Sequence, residues 1–306
     1  MQHQALDINL PTTAPMAPPH ARSESLLAQT AHRLRRSKTA LGGLGIITAL
    51  ILVALCADVL APYSPIRNAP TATFQPPNAH HLLGTDQFGR DMLSRLIYGS
   101  RISLVVGLSS VLLAIFVGVP LGMVAGFFGG KLDALIMRAM DVILSFPVFL
   151  LAIVIMVMFT PTAGLMGAMK VIMAIAIVRI PIYARLVRGS VLSVKEKEYI
   201  EACRALGQYD RKILLRHILP NCMAPIIVAG TLSIATAIIV EASLSFLGLG
   251  TQPPTPSWGW DLKANVAWIQ MYPWLALGPG FAIFVTVLGF NLFGDGLRDA
   301  LDPRLK

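Results

Sequence analysis

The feature that most constrains this sequence is a series of apolar runs, each close to the length a helix needs to cross a bilayer. They fall at Thr39–Ala61, Ile102–Gly126, Val142–Thr160, Gly164–Val187, Met223–Leu244 and Trp274–Leu297. A spanning helix takes about 20 mostly apolar residues, because backbone N–H and C=O groups must be satisfied within the segment once water is gone. The runs predict an all-α polytopic membrane protein with six transmembrane helices. Composition agrees: 55% of the 306 residues are hydrophobic and 13% are charged, where soluble domains run near a quarter charged. The fourth run is the difficult one, since Lys170 and Arg179 interrupt it. A central Arg costs about 2.5–3.5 kcal/mol on insertion scales. That helix must tilt, let the charge snorkel, or turn it toward protein or water.

Orientation follows from the basic residues. With six spans and both termini in the cytoplasm, 19 of the 25 Lys and Arg lie on inside segments and 6 on outside segments. All four tryptophans, Trp258, Trp260, Trp268 and Trp274, fall in or beside the last outside loop, where an interfacial aromatic belt belongs. The expected organisation is a flexible cytoplasmic tail over 1–38, rich in Pro, Ala and Ser, and a membrane domain over 39–306. The first apolar stretch is too long for a signal-peptide core and reads as an uncleaved signal anchor.

Several function classes drop out. Most of the net charge of +9 is accounted for by the inside bias, and no aromatic–basic interleaving points to nucleic acid. The three cysteines, Cys56, Cys203 and Cys222, show neither a disulfide framework nor metal-ligand spacing. There is no G-x-x-x-x-G-K-[ST] phosphate cradle, so no ATP site of its own is expected, and no H-E-x-x-H or Ser/His/Asp set suggests hydrolysis.

The most charged segment, EYIEACRALGQYDRKILLRHILP from Glu198 to Pro220, lies between the fourth and fifth runs, on the inside. Ser193 and Glu196 match a capping box, which predicts a helix start there. Tyr199, Ile200, Cys203 and Leu206 recur at helical spacing, and Gly207 stands where a C′ glycine belongs. Asp210 is placed to cap a second helix carrying Ile213, Leu214, His217 and Ile218, with Pro220 marking its end. On periodicity alone two readings are open: a helix lying along the headgroups, or one docking into a groove on a soluble partner.

The spacing Glu201-Ala202-Cys203, three residues, Gly207, then Ile218-Leu219-Pro220 resembles the EAA loop of ABC importer permeases. Cys203 replaces the family's second alanine. His217, with Leu219 and Pro220, gives the His-x-Leu-Pro ending of the peptide and nickel branch. Four more stretches are similar to the C-type membrane subunit of that branch: Leu83–Gly99, Asp141–Ile153, Glu241–Gly259 and Gly294–Arg304. The resemblance implies a type I importer permease fold in the bacterial inner membrane, with 188–222 as the coupling loop to an ATPase. It implies a heterodimer with a B-type permease subunit, two ATP-binding subunits carrying ATP and Mg, and an extracytoplasmic solute-binding protein. No cofactor is expected in this chain. Dipeptides, oligopeptides, glutathione, nickel chelates and opine-like compounds are all carried by relatives of the branch, and the sequence does not choose among them. The rival class, a secondary transporter or channel subunit, should show internal repeats or broken helices around a central site; no convincing repeat is seen.

Other charges carry two readings each. Thr85 or Asp86 is placed to cap a helix bearing Phe88, Met92 and Leu96. With Arg90, Asp91 and Arg95, that helix is either interfacial with snorkelling arginines or a surface for the binding protein or second permease. Glu241, near the outer end of the fifth run, either lines the pathway or accepts a hydrogen bond from a neighbouring helix. Arg179 either faces the path, where a peptide carboxylate could meet it, or snorkels inward. Asp58 and Asp141 sit at run ends and read as interfacial.

Overall fold

The computed structural model describes residues 33–160 and 162–301. Among them the fold is a helical bundle. Its long members are α1 (Lys38–Leu55), α2 (Met92–Phe128), α3 (Gly130–Leu144), α4 (Val148–Val157), α5 (Gly164–Lys195), α6 (Glu198–Ala205), α7 (Asp210–Phe246), α8 (Trp258–Val266) and α9 (Trp274–Leu301). The expected tail over 1–38 lies mostly outside the described residues. α1 starts where Ser37 accepts a hydrogen bond from the Ala40 amide at 3.3 Å. α2 starts where Asp91 accepts one from the Ser94 amide at 2.8 Å. Both are N-cap geometries that satisfy otherwise orphaned first-turn donors.

Five helices, α1, α2, α5, α7 and α9, are long and apolar enough to cross a membrane unbroken. The sixth expected run behaves differently. Val142–Thr160 is not one helix: its first residues end α3, and α4 begins only after Pro147, with a bend of 84° between the two. The ring of Pro147 clashes with an α conformation at Phe146, so the chain turns there however apolar its flanks are. α4 has 10 residues, about 15 Å of helix, which is half a hydrocarbon core. α3 and α4 together pass as a sixth segment by length and composition only if the bent pair is counted as one span. By contrast the doubtful fourth run is a single helix, and it continues two turns past Val187 to Lys195.

The bundle is held by close helix approach. On α2, Gly118, Gly122 and Gly126 form a four-residue-spaced stripe against α5. A Cβ at Gly118 would stand 2.8 Å from the Ile180 carbonyl oxygen, one at Gly126 3.0 Å from that of Arg188, and one at Gly122 inside contact with that of Ala184. Small residues at this spacing let backbones meet where no water-driven force pushes helices together. Gly289 and Gly296 of α9 play the same part against α1. α3 is tied to α5 by charge: Arg188 donates to both oxygens of Asp133 at 2.6 Å, and Arg185 pairs with Asp141.

Two ends result. At one end α1 stops, α2 and α9 begin, and residues 61–91 with 248–273 fold into a cap. At the other end α2 hands over to α3 and α5 to α6.

Candidate functional site

At the α6 end the chain makes a tight hairpin. α5 runs through Ser193, which sits inside the helix, and Glu196 is its C-cap; α6 begins at Glu198 after Lys197. The predicted Ser193–Glu196 capping box is therefore not formed: Ser193 lies within the last turn of α5 and Glu196 ends that helix, so no helix starts between them. Gly207 does what its position predicted. Its φ is +70°, its amide donates to the Arg204 carbonyl at 2.9 Å, and the Gln208 amide donates to that of Cys203 at 3.1 Å. This pair of bonds is a Schellman closure, which satisfies the last carbonyls of α6. Asp210 is not a cap. Tyr209 holds that place, with no side-chain bond, and Asp210 lies in the first turn of α7.

Pro220 does not end the second helix either. Residues Leu214–Ile218 form a π-turn, and α7 continues through Leu219 and Pro220 to Phe246. A proline ring clashes with the carbonyl four residues back and has no N–H to donate. The wider turn, closed by Leu219 N to Leu214 O, makes room for it. His217 Nε2 lies 3.2 Å from Gln208 Oε1, and the His217 carbonyl accepts from Asn221 Nδ2 at 2.6 Å, so the turn is tied to the rising helix.

Ile200 seats the hairpin on the bundle. It packs with Val187, Val191, Ile213, Ile218 and Cys222, with Cys203 half-buried beside it. Lys195 Nζ donates to the Gly126 carbonyl at 2.9 Å, and the Arg204 guanidinium lies 5.4 Å from the Phe127 ring centre. The predicted apolar stripe splits: Ile200 and Cys203 face in, while Tyr199 and Leu206 face out. Leu206 is 80% exposed and Tyr209 83% exposed. Glu201, Ala202 and Gly207 are exposed among them, Leu219 is half-buried, and Pro220 is exposed. The outcome is a short helix held by its back, presenting two large apolar side chains and an acid.

At the cap end the residues 84–91 form a tight loop, not the predicted helix. Asp86 accepts from the Phe88 and Arg90 amides, both at 2.9 Å, and from Arg90 Nε at 2.7 Å. The Asp86 carboxylate meets its loop's own donors, so it cannot start a helix. Asp91 takes that role for α2, and its other oxygen lies 2.9 Å from His81 Nδ1. Arg95 is fully buried and donates to Asp261 of α8 at 2.7 Å and to the Pro65 carbonyl at 2.9 Å. Burial pushes the Asp261 carboxyl above its ordinary pKa, and the Arg95 guanidinium beside it pulls the other way. The snorkelling reading of these arginines fails, because both are locked in internal ion pairs.

Glu241 of α7 is fully buried. It accepts from Ser103 of α2 at 3.2 Å, Ser245 at 2.9 Å and Ser257, the N-cap of α8, at 3.2 Å. It is a post joining α2, α7 and the cap, not a lining residue. Asp86 and Asp91 are each 2% exposed and Arg90 6%, so within this chain their charges are spent on internal partners, although Arg90 and Asp91 also border surface grooves. The reading of the sequence missed Ser257 and Asp261. The signal was present in PSWGWD: a serine N-cap with an acid in the first turn. Asp58 pairs with Arg101 at 2.9 Å. Arg179 turns sideways to α7, where Nη2 donates to Thr236 Oγ1 at 2.8 Å.

Comparison with known proteins locates this arrangement. Residues 118–306 match the family model of the binding-protein-dependent transport system inner membrane component. Residues 25–77 match the N-terminal TM domain of oligopeptide transport permease C, a stretch that includes the end of the tail. The chain is 47% identical to a dipeptide transport system permease protein of Alkalihalophilus pseudofirmus, over 90% of this chain and 88% of that one. It is 42% identical to a di/tripeptide transport system permease protein of Pseudomonas aeruginosa, over 98% and 99%. A glutathione transport system permease protein of Pectobacterium atrosepticum is 44% identical over 89% of each. Among solved structures, an inward-facing conformation of the MetNI methionine ABC transporter superposes with a TM-score of 0.56 at 19% identity, over 69% of this chain and 98% of that one.

Proposed function

Since the chain belongs to the family of binding-protein-dependent transport system inner membrane components, we propose that it imports peptides and that the α6 hairpin is its contact with an ATPase. The family membership makes it a multi-pass permease subunit of an ABC importer in the inner membrane, with ATP hydrolysis left to separate subunits. The finer assignments are ours. The chain is the C-type half of a pathway completed by a B-type permease. Two ATP-binding subunits carrying ATP and Mg sit below it, and an extracytoplasmic binding protein delivers a short peptide from above. Both termini and the segment 188–222 face the cytoplasm. The relatives named for dipeptides, di/tripeptides and glutathione support a peptide, glutathione being one itself.

One observation carries the coupling role. α6 is anchored through Ile200 and Cys203, leaves Glu201, Ala202, Leu206 and Tyr209 free, and passes directly into α7. A helix that only covered the headgroups would not need a rigid connection to a spanning rod. Docking of the exposed face in a partner cleft would move α7 as the partner closes, with His217, Leu219 and Pro220 on the connecting turn.

The test is ATP-dependent uptake of a dipeptide by the complete importer in proteoliposomes, with Gly207→Val beside wild type. Nothing lies within 4 Å of a Cβ at Gly207, so the change acts on the backbone alone. A left-handed residue with a side chain costs about 1–2 kcal/mol, and more for a branched one. The variant should reach the membrane in normal amount and lose most of its uptake. Normal uptake with the hairpin so strained would remove α6 from coupling. Wild type without ATP-dependent uptake would remove the peptide importer.

A further inference from the structure

Arg179 stands at the middle of the 32-residue α5, roughly 22 Å from either end at 1.5 Å per residue. Within the apolar run Gly164–Val187 it lies 15 residues after the start and 8 before the end, inside the stretch that crosses the membrane. It is 7% exposed. A guanidinium brings five N–H donors and keeps its charge, and among the described residues a single hydroxyl answers it, Thr236 Oγ1 at 2.8 Å. That hydroxyl is itself occupied with the Ser233 carbonyl. Among the described residues no Asp or Glu pairs with Arg179, whereas the other two buried arginines, Arg90 and Arg95, each hold a carboxylate. Charges inside a membrane are expensive and rare, and they mark pathways when nothing in the fold neutralises them.

The direction of the side chain adds a second fact. Thr236, where the guanidinium arrives, is exposed on α7, and Ile239 and Ser243 continue the same face at helical spacing. Those two residues line an open apolar groove of about 380 Å³, walled by Phe149 of α4, Phe246, Leu262 of α8 and Ile283 of α9. A lone cation therefore lies one helical turn along α7 from an apolar recess. The combination fits an amphipathic anion, with an apolar body and a carboxylate at its end.

We infer that Arg179 is a carboxylate-binding residue of the translocation pathway, and that its ligand is the C-terminal carboxylate of the peptide in transit. The inference rests on the reading of the substrate as a peptide. The recess takes an apolar side chain while the guanidinium takes the carboxylate by charge-assisted hydrogen bonds. With no resident counter-ion to displace, the site fills when substrate enters and empties when it leaves.

The experiment uses the complete importer in proteoliposomes, with Arg179→Gln and Arg179→Lys beside wild type. Uptake is measured for a labelled apolar dipeptide and for its C-terminal amide, each saturating the binding protein, together with ATP hydrolysis stimulated by the loaded binding protein. Removing a partner of a substrate charge costs about ten-fold or more, so Arg179→Gln should lose at least that in uptake of the acid. It should keep its partner subunits, its stimulated hydrolysis and its handling of the amide to within about two-fold, and Arg179→Lys should recover a large part of the acid uptake as a point charge. Acid uptake by Arg179→Gln equal to wild type overturns the inference, as does an equal loss for acid and amide. Loss of the second permease from the purified complex also overturns it, assigning the guanidinium to a subunit interface. A wild-type importer that carries neither compound fails at the earlier step, the peptide reading itself.

Discussion

At the scale of single residues the cap end is held by pairs that tolerate no half-measures. Arg95 and Asp261 are both almost wholly buried and meet at 2.7 Å. Removing one partner of a buried pair strands the other charge, at about 3–5 kcal/mol, while replacing both with apolar groups is often near neutral. Arg95→Met should therefore lower the thermal midpoint of the purified protein sharply, and Arg95→Met with Asp261→Leu should recover much of the loss. Additive losses in the double variant would mean the two act separately. The sequence left Arg95 either snorkelling at an interface or facing a partner protein, because its true partner lies 166 positions away, and no local pattern reports such a pairing. Gly207 was legible for the opposite reason. Its role follows from backbone chirality and the residues within one turn of it, which a sequence displays directly.

Among the elements, α6 separates seat from face. Ile200 is completely buried in the hairpin's apolar cluster, and Leu206 is 80% exposed. Ile200→Ala should cost about 2–4 kcal/mol through cavity formation and loosen the hairpin, seen as faster amide exchange over 198–207. Leu206→Asp should leave the melting temperature of this chain unchanged and reduce recovery of the ATPase in a pull-down. Equal recovery would mean that the exposed face touches nothing. The bent α3–α4 pair shows where a reading by apolar length stops. A hydropathy window sums composition and is blind to the single ring of Pro147, so Val142–Thr160 looked like a plain span. The fourth run looked doubtful on the same basis, since the window charged it for Lys170 and Arg179 without knowing that a loop carbonyl and a neighbouring helix receive them. Lys170 Nζ reaches the Thr160 carbonyl at 2.7 Å, and Arg179 reaches Thr236.

For the whole molecule, orientation is a proposal, and the placement of charge is what supports it. Basic residues cluster at the α6 end, while the cap carries paired charges and the tryptophans. Protease added to the inside of the membrane should remove tags at both termini, and protease added outside should remove neither. A tag cut from opposite sides would invert part of the bundle and put α6 out of reach of any ATPase. The bundle's class and its family motifs were readable from the chain. The sideways lie of Arg179 and the internal burial of Glu241 were not, because each is set by which helix happens to stand opposite.

The π-turn at the foot of α7 has a further consequence. α7 is 37 residues long, about 55 Å of continuous rod from the hairpin to the three serines around Glu241. A stiff rod transmits displacement without loss unless it can change length, and a π-turn is a place where it can. It holds one residue more than the α ladder requires, and passing that residue into the regular ladder alters the rod's length and rotates everything beyond it. If the hairpin drives α7 as proposed, Leu214–Ile218 would set the slack in that drive, the amount by which one end of α7 moves before the other must follow.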